Sequence, residues 1–139
     1  MTVIKDYSEL DFTDDFIFCK VLENNKEACR RLLEVILDTK VRDIEFADKQ
    51  KQFEAGVDTK GIRLDVYIED DKNTVYDMEM QSYNYAELPK RSRYYQSMID
   101  MGLLDKGVDY TKLRNSAIIF ICKKNPFNKE LHKYTFRNT

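Results

Sequence analysis

The chain has 139 residues, 42% of them apolar, enough for one domain with a substantial core and no need of disulfide staples. Its net charge of −2 excludes a protein that coats nucleic acid through a global basic field, so any polyanion contact has to come from a local patch. The N-terminal MTVIKDYSELDF lacks an apolar signal core and no apolar run approaches bilayer length, so a soluble, cytoplasmic single domain over residues 1–139 is expected, without membrane contact.

Taken in chain order, Thr13 followed by Asp14 and Asp15 predicts a helix start, the hydroxyl capping free amides and the acids facing the positive end of the dipole. Phe16, Ile17, Cys19, Lys20, Val21 and Leu22 continue it until Asn24-Asn25 breaks the pattern. Residues 26–38 predict a second helix that packs on a sheet through Ala28, Leu32, Leu33, Val35, Ile36 and Leu37. Glu34 at the edge of that stripe reads either as a salt-bridged surface acid or as an acid reaching over a site. A short strand is expected over residues 41–46. Residues 48–60 are polar, contain Gly56 and predict a loop, with Lys49, Lys51 and Lys60 either as solubilising charges or as a local basic supply.

Residues 61–81, GIRLDVYIEDDKNTVYDMEMQ, predict two strands joined by a turn centred on Lys72. In that register Leu64 meets Met80, Val66 meets Met78 and Ile68 meets Tyr76 on an apolar face. The other face pairs Arg63 with Gln81, Asp65 with Glu79 and Tyr67 with Asp77. Opposed side chains root about 4.5–5.5 Å apart, and like charges so placed are destabilising without compensation. A divalent cation would compensate Asp65 and Glu79; Arg63 and Lys72 could also screen them, so a metal site and a solvated polar face both stand.

Residues 86–104 predict a helix with Pro89 in its first turn and Tyr94, Tyr95, Met98, Met101 and Leu104 at core spacings. Arg91 and Tyr95 are four apart and share a face toward the end of the second strand; a guanidinium there suits phosphate oxygens. Ser116–Cys122, SAIIFIC, predicts a strand buried on both faces at the centre of the sheet. The remaining tail carries His132, the only histidine, which reads as a surface or packing residue. Cys19, Cys29 and Cys122 are widely spaced, without metal-ligand spacing, and read as reduced thiols.

Asp65, thirteen residues, then Glu79-Met80-Gln81 resembles the Asp…(Asp/Glu)-x-Lys signature of the PD-(D/E)XK nucleases, with Gln81 in the lysine position. TDDFIFCKVL, GIRLDVYIED, YDMEMQ, LPKRSRYYQSMID, KGVDYTKL, AIIFICKKNPF and YTFRN extend the likeness over the whole chain, to the recombination-promoting nuclease and transposase-associated branch. The resemblance implies an α/β, restriction-endonuclease-like mixed sheet flanked by helices, with an antiparallel hairpin carrying the active site. It also implies Mg²⁺- or Mn²⁺-dependent hydrolysis of DNA in recombination or mobile-element biology. Carried over, Asp65 and Glu79 hold the metal, the Met80 carbonyl adds an oxygen, and Gln81 stands where a lysine would orient the water. Arg63, Arg91, Tyr95, Asp15, Lys20 and Lys60 become supporting or phosphate-binding residues. Relatives of this branch are expected to continue past YTFRN, so a shortened, catalytically inactive form that binds nucleic acid or protein is the alternative. A homo-oligomer closing over uncovered apolar faces is a further expectation.

Overall fold

The structure is a computed structural model and describes residues 6–46, 52–53, 56 and 60–137. Two helices come first, α1 over Asp15–Glu23 and α2 over Lys26–Leu37. Asp14, and not Thr13, is the N-cap of α1, because the Thr13 hydroxyl turns back to donate to Asp11. Asn25 caps α2 by accepting from the Ala28 N–H at 3.0 Å, so the pair that ends one helix starts the next. Glu34 resolves as a structural acid: Arg30 donates to it at 2.6 Å and the Val41 N–H at 3.1 Å, which pins the chain leaving α2.

Strand β1 is Ile44–Phe46, within the expected 41–46. Inside the expected loop a short β2, Gln52–Phe53, pairs antiparallel with β3, Ile62–Arg63. Lys49 and Lys51 lie outside the described residues. Strands β4, Val66–Asp70, and β5, Val75–Gln81, form the hairpin, followed by α3, Leu88–Leu103, and β6, Ser116–Cys122. The main sheet runs β1-β4-β5-β6, antiparallel except for the parallel β5–β6 pair.

The expected hairpin register holds where the ladder exists: Val66 faces Met78, Tyr67 faces Asp77 and Ile68 faces Tyr76. Asp70 locks the turn, its Oδ1 accepting from the Lys72 and Thr74 N–H groups and its Oδ2 from the Tyr76 hydroxyl. Toward the N-terminal side the register fails. The chain bends at Asp65, and Arg63 pairs with Gln52 rather than facing Gln81. The bend also sends Leu64 to the face opposite Val66 and Ile68.

Two cores result. Val66, Ile68, Tyr76, Met78 and Met80 pack with Phe18 and Leu22 of α1 and Cys29 and Leu33 of α2. On the other face Ile62, Leu64, Tyr67 and Val75 pack with Tyr95, Met98 and Ile99 of α3. The hairpin therefore has no solvated face: β5 is buried from end to end. β6, expected at the centre, is half-buried at the sheet edge, and its two apolar faces reflect a helix layer above and below. Val35, Tyr94 and Met101, expected as core, are exposed. So is His132. Among the described residues no helix is long and apolar enough to cross a membrane.

Leu33 is fully buried and Val35 is 79% exposed two positions later. Leu33→Ala should cost about 3 kcal/mol in chemical denaturation. Val35→Ala should stay within about 0.5 kcal/mol of wild type.

Candidate active site

The site forms where β4 stops. At the bend, the Asp65 main-chain N–H donates to Glu79 Oε2 at 2.7 Å. Glu79 Oε1 stands 3.6 Å from Arg91 Nη2. One carboxylate is thus held from both sides, by the start of β4 and by the first turns of α3. Beyond Met78, β5 runs on past the β4 ladder, so among the described residues the stretch carrying Glu79, Met80 and Gln81 is paired only with β6, while staying buried.

Arg91 is itself fixed. Its Nε and Nη2 donate to the Tyr95 hydroxyl at 3.0 and 2.9 Å, and its Nη1 donates to Gln81 Oε1 at 2.8 Å. The guanidinium carbon lies 5.1 Å from the Tyr95 ring centre and 5.4 Å from that of Phe120. The i,i+4 spacing on α3 and the parallel register that sets Phe120 beside Glu79 bring these groups together.

Two participants escape the sequence reading. Asp77 shares the Glu79 face of β5, is fully buried, and finds no N–H or hydroxyl donor among the described residues; the Glu79 carboxylate lies close enough to accept its proton when Asp77 is neutral. Burial, with the charges of Glu79 and Asp65 adding, holds its pKa well above the usual carboxylate range. Cys19 on α1 donates its thiol to the Asp65 carbonyl at 3.6 Å. Burial, reinforced by Asp65, Glu23 and Glu79, pushes that thiol up to about 12, so it is a neutral donor and no nucleophile. Their signal was faint: Asp77 lies two residues from Glu79, and Cys19 one helical turn after Asp15.

Asp15, Lys20 and Lys60 are exposed, and among the described residues neither lysine forms a salt bridge with Asp65 or Glu79. Asp15 accepts from its neighbour Phe16 N–H. Lys60 is tied in through its carbonyl, which accepts from the Tyr94 hydroxyl.

A family model described as PD-(D/E)XK nuclease family transposase matches residues 12–138. The chain belongs to this family. The mixed sheet between helices agrees with the restriction-endonuclease-like fold, and membership gives the chain a nuclease-related function. Neither the curated proteins nor the solved structures searched give a match.

The nucleases of this family typically use divalent metals, and the donors in this member suit one. Asp65 and Glu79 offer hard oxygens, and the buried Asp77 carboxyl beside them lacks a protein donor. Among the described residues no three acidic, histidine or cysteine side chains make a ready cage. Mg²⁺ is usually held by one or two carboxylates and completes its shell with water and phosphate, so the donors fit that ion.

Burial first, then the Asp65 charge, pushes Glu79 up to about 7. Its raised pKa means the folded state binds a proton the unfolded state has released, so stability falls as pH rises from about 4.5 to about 7 and levels off above. Glu79→Gln keeps an oxygen for the Asp65 N–H and removes the charge. The metal-free variant should be more stable than wild type at pH 8 by on the order of 2 kcal/mol and equal to it at pH 4, by denaturant titration.

Proposed function

We propose that the protein is a Mg²⁺- or Mn²⁺-dependent DNA endonuclease acting in recombination or mobile-element biology. The observation that carries the reading is the hold on Glu79: a buried acid kept on the Asp65 backbone at 2.7 Å, so that two carboxylates are rooted together where the β4–β5 ladder ends. A structural salt bridge would not need the Asp65 carboxylate packed beside it, since that charge raises the cost of ionising Glu79.

In this reading Asp65 and Glu79 are the side chains that would hold the ion, with the Met80 carbonyl as a third oxygen. The bound ion supplies polarisation of the scissile phosphate and a more acidic water. The chain's own contributions are positional. β5 fixes Glu79, the Asp65 N–H sets the plane of its carboxylate, and α3 brings a cation to where phosphate oxygens would lie. Asp15, Lys20, Lys60 and Arg63 would serve as outlying contacts along a DNA backbone. The three free thiols suit a cytoplasmic protein.

A second reading is supported by Gln81, whose amide is engaged by Arg91 and by the Tyr83 carbonyl and brings no charge to its position. There the same scaffold binds nucleic acid or protein without cutting. Supercoiled plasmid with Mg²⁺ or Mn²⁺ separates the two. The nuclease reading expects nicking by wild type and a loss of at least roughly a hundredfold in Asp65→Ala and Glu79→Ala, the scale on which electrostatic groups act in catalysis. Equal cutting by all three would reject these residues, and retained DNA binding without cutting would favour the second reading.

A proton on Glu79 competes with the ion, because only the carboxylate is a ligand. Mn²⁺ affinity measured by calorimetry should therefore rise about tenfold per pH unit below 7 and flatten above it, following the pKa of about 7. A flat profile between pH 5.5 and 8 would remove Glu79 from the ligand set.

A further inference from the structure

Gln81 and Arg91 divide their work in an uneven way. The Gln81 amide is committed at both ends, its Oε1 to Arg91 Nη1 at 2.8 Å and its Nε2 to the Tyr83 carbonyl. Arg91 has five N–H donors, of which three are used, two by the Tyr95 hydroxyl and one by Gln81. Two remain, one each on Nη1 and Nη2, and Nη2 is the atom nearest Glu79. The rings of Tyr95 and Phe120 hold the guanidinium plane. Its side chain is 28% exposed, so an anion arriving from solvent can reach it.

From this geometry we infer that Arg91 is the residue that meets the phosphodiester oxygens, and that Gln81 is the positioning residue that holds Arg91 in place rather than itself orienting a water. The inference rests on the nuclease reading and refines it. A fork with two N–H groups not committed to a hydrogen bond, one of them only loosely facing Glu79, matches two phosphate oxygens, which a neutral amide turned toward its own backbone does not. Gln81 is 7% exposed and sits at the last position of β5, so its oxygen is an accurate anchor for a side chain coming from another element. Without that anchor the hydrogen bonds left to Arg91 would all come from Tyr95 on its own helix, with the Phe120 ring and the looser Glu79 contact from the sheet.

A cation rooted at position 81 should then replace one rooted at 91. The test compares wild type with Arg91→Met, Arg91→Lys, Gln81→Ala, Gln81→Lys and the double variant Gln81→Lys/Arg91→Met, each first checked for a cooperative thermal transition. Plasmid nicking should fall about a hundredfold in Arg91→Met. It should fall also in Gln81→Lys, where two cations meet, and return to within about tenfold of wild type in the double variant. Arg91→Lys should retain more activity than Arg91→Met.

Mn²⁺ binding without DNA gives a second readout. Arg91 competes with the ion for Glu79, so at pH 8.5 Arg91→Met should bind Mn²⁺ several-fold more tightly, and Gln81→Ala should shift affinity in the same direction. A merely structural arginine would not let a lysine at position 81 restore nicking in the double variant, and would leave Gln81→Ala without effect on Mn²⁺ affinity. A double variant no more active than Arg91→Met, or Mn²⁺ affinity unchanged in both single variants, overturns the inference. If wild type cuts nothing, the nuclease reading falls separately, and the Mn²⁺ series alone decides whether Gln81 positions Arg91.

Discussion

The architecture turns on one displaced hydrogen bond. A strand that continued through Asp65 would give its N–H to the neighbouring backbone and leave Glu79 to find its own partners. The bend at Asp65 redirects that N–H to Glu79 Oε2, and three consequences follow from it. β5 outruns the β4 ladder at its C-terminal end, Leu64 changes faces to join the α3 core, and the segment before the bend is free to pair with Gln52–Phe53. The site is thus a place where sheet regularity is given up so that a carboxylate can be aimed.

Aiming it is costly. Asp65, Asp77 and Glu79 lie close enough for each to affect the ionisation of the next, and the last two are buried. Arg91 is the only cation among the described residues in a salt bridge with Glu79, and at 3.6 Å the contact is loose. In a protein stable by some 5–15 kcal/mol, an arrangement of this kind weighs on the fold. The compensation is spread over both faces. Phe18, Leu33, Ile68 and Met78 are fully buried on one, and Leu64, Val75 and Ile99 are essentially so on the other. The turn at Asp70 and the parallel β5–β6 ladder hold β5 along its length.

Much of this was legible in the sequence, and the limits have physical causes. Alternation located both hairpin strands and their register, because a one-residue slip would move every side chain to the wrong face. The Asn25 break and the Pro89 start marked helix ends for reasons local to the chain. Alternation did not show that the second face was covered. Tyr67, Asp77 and Glu79 read as a polar face, either solvated or holding a metal, yet α3 lies over that face, and burial by a distant element leaves no trace in local period. SAIIFIC misled for a related reason: apolar residues on both faces report a helix layer on each side, which an edge strand in a three-layer fold shares with a central one. Asp65 could be named from its neighbours in the text, but not its bend, since a backbone N–H bonded to a side chain fourteen residues away has no sequence signature.

The same burial that obscured the site explains why it is built between layers. Charge on Arg91 acts more strongly where Tyr95 and Phe120 exclude water than it would on an exposed loop, since the effective dielectric falls as the surroundings dry. A flexible cation would lose that gain by sampling positions away from Glu79. Arg91 is instead tied to a tyrosine one turn along its own helix and to a glutamine on the central strand. The helix supplies the charge and the strand supplies the reference point. With Glu79 only two residues before that glutamine, the carboxylate and the guanidinium of the site are measured from the same piece of backbone, and their spacing survives small movements of α3 against the sheet.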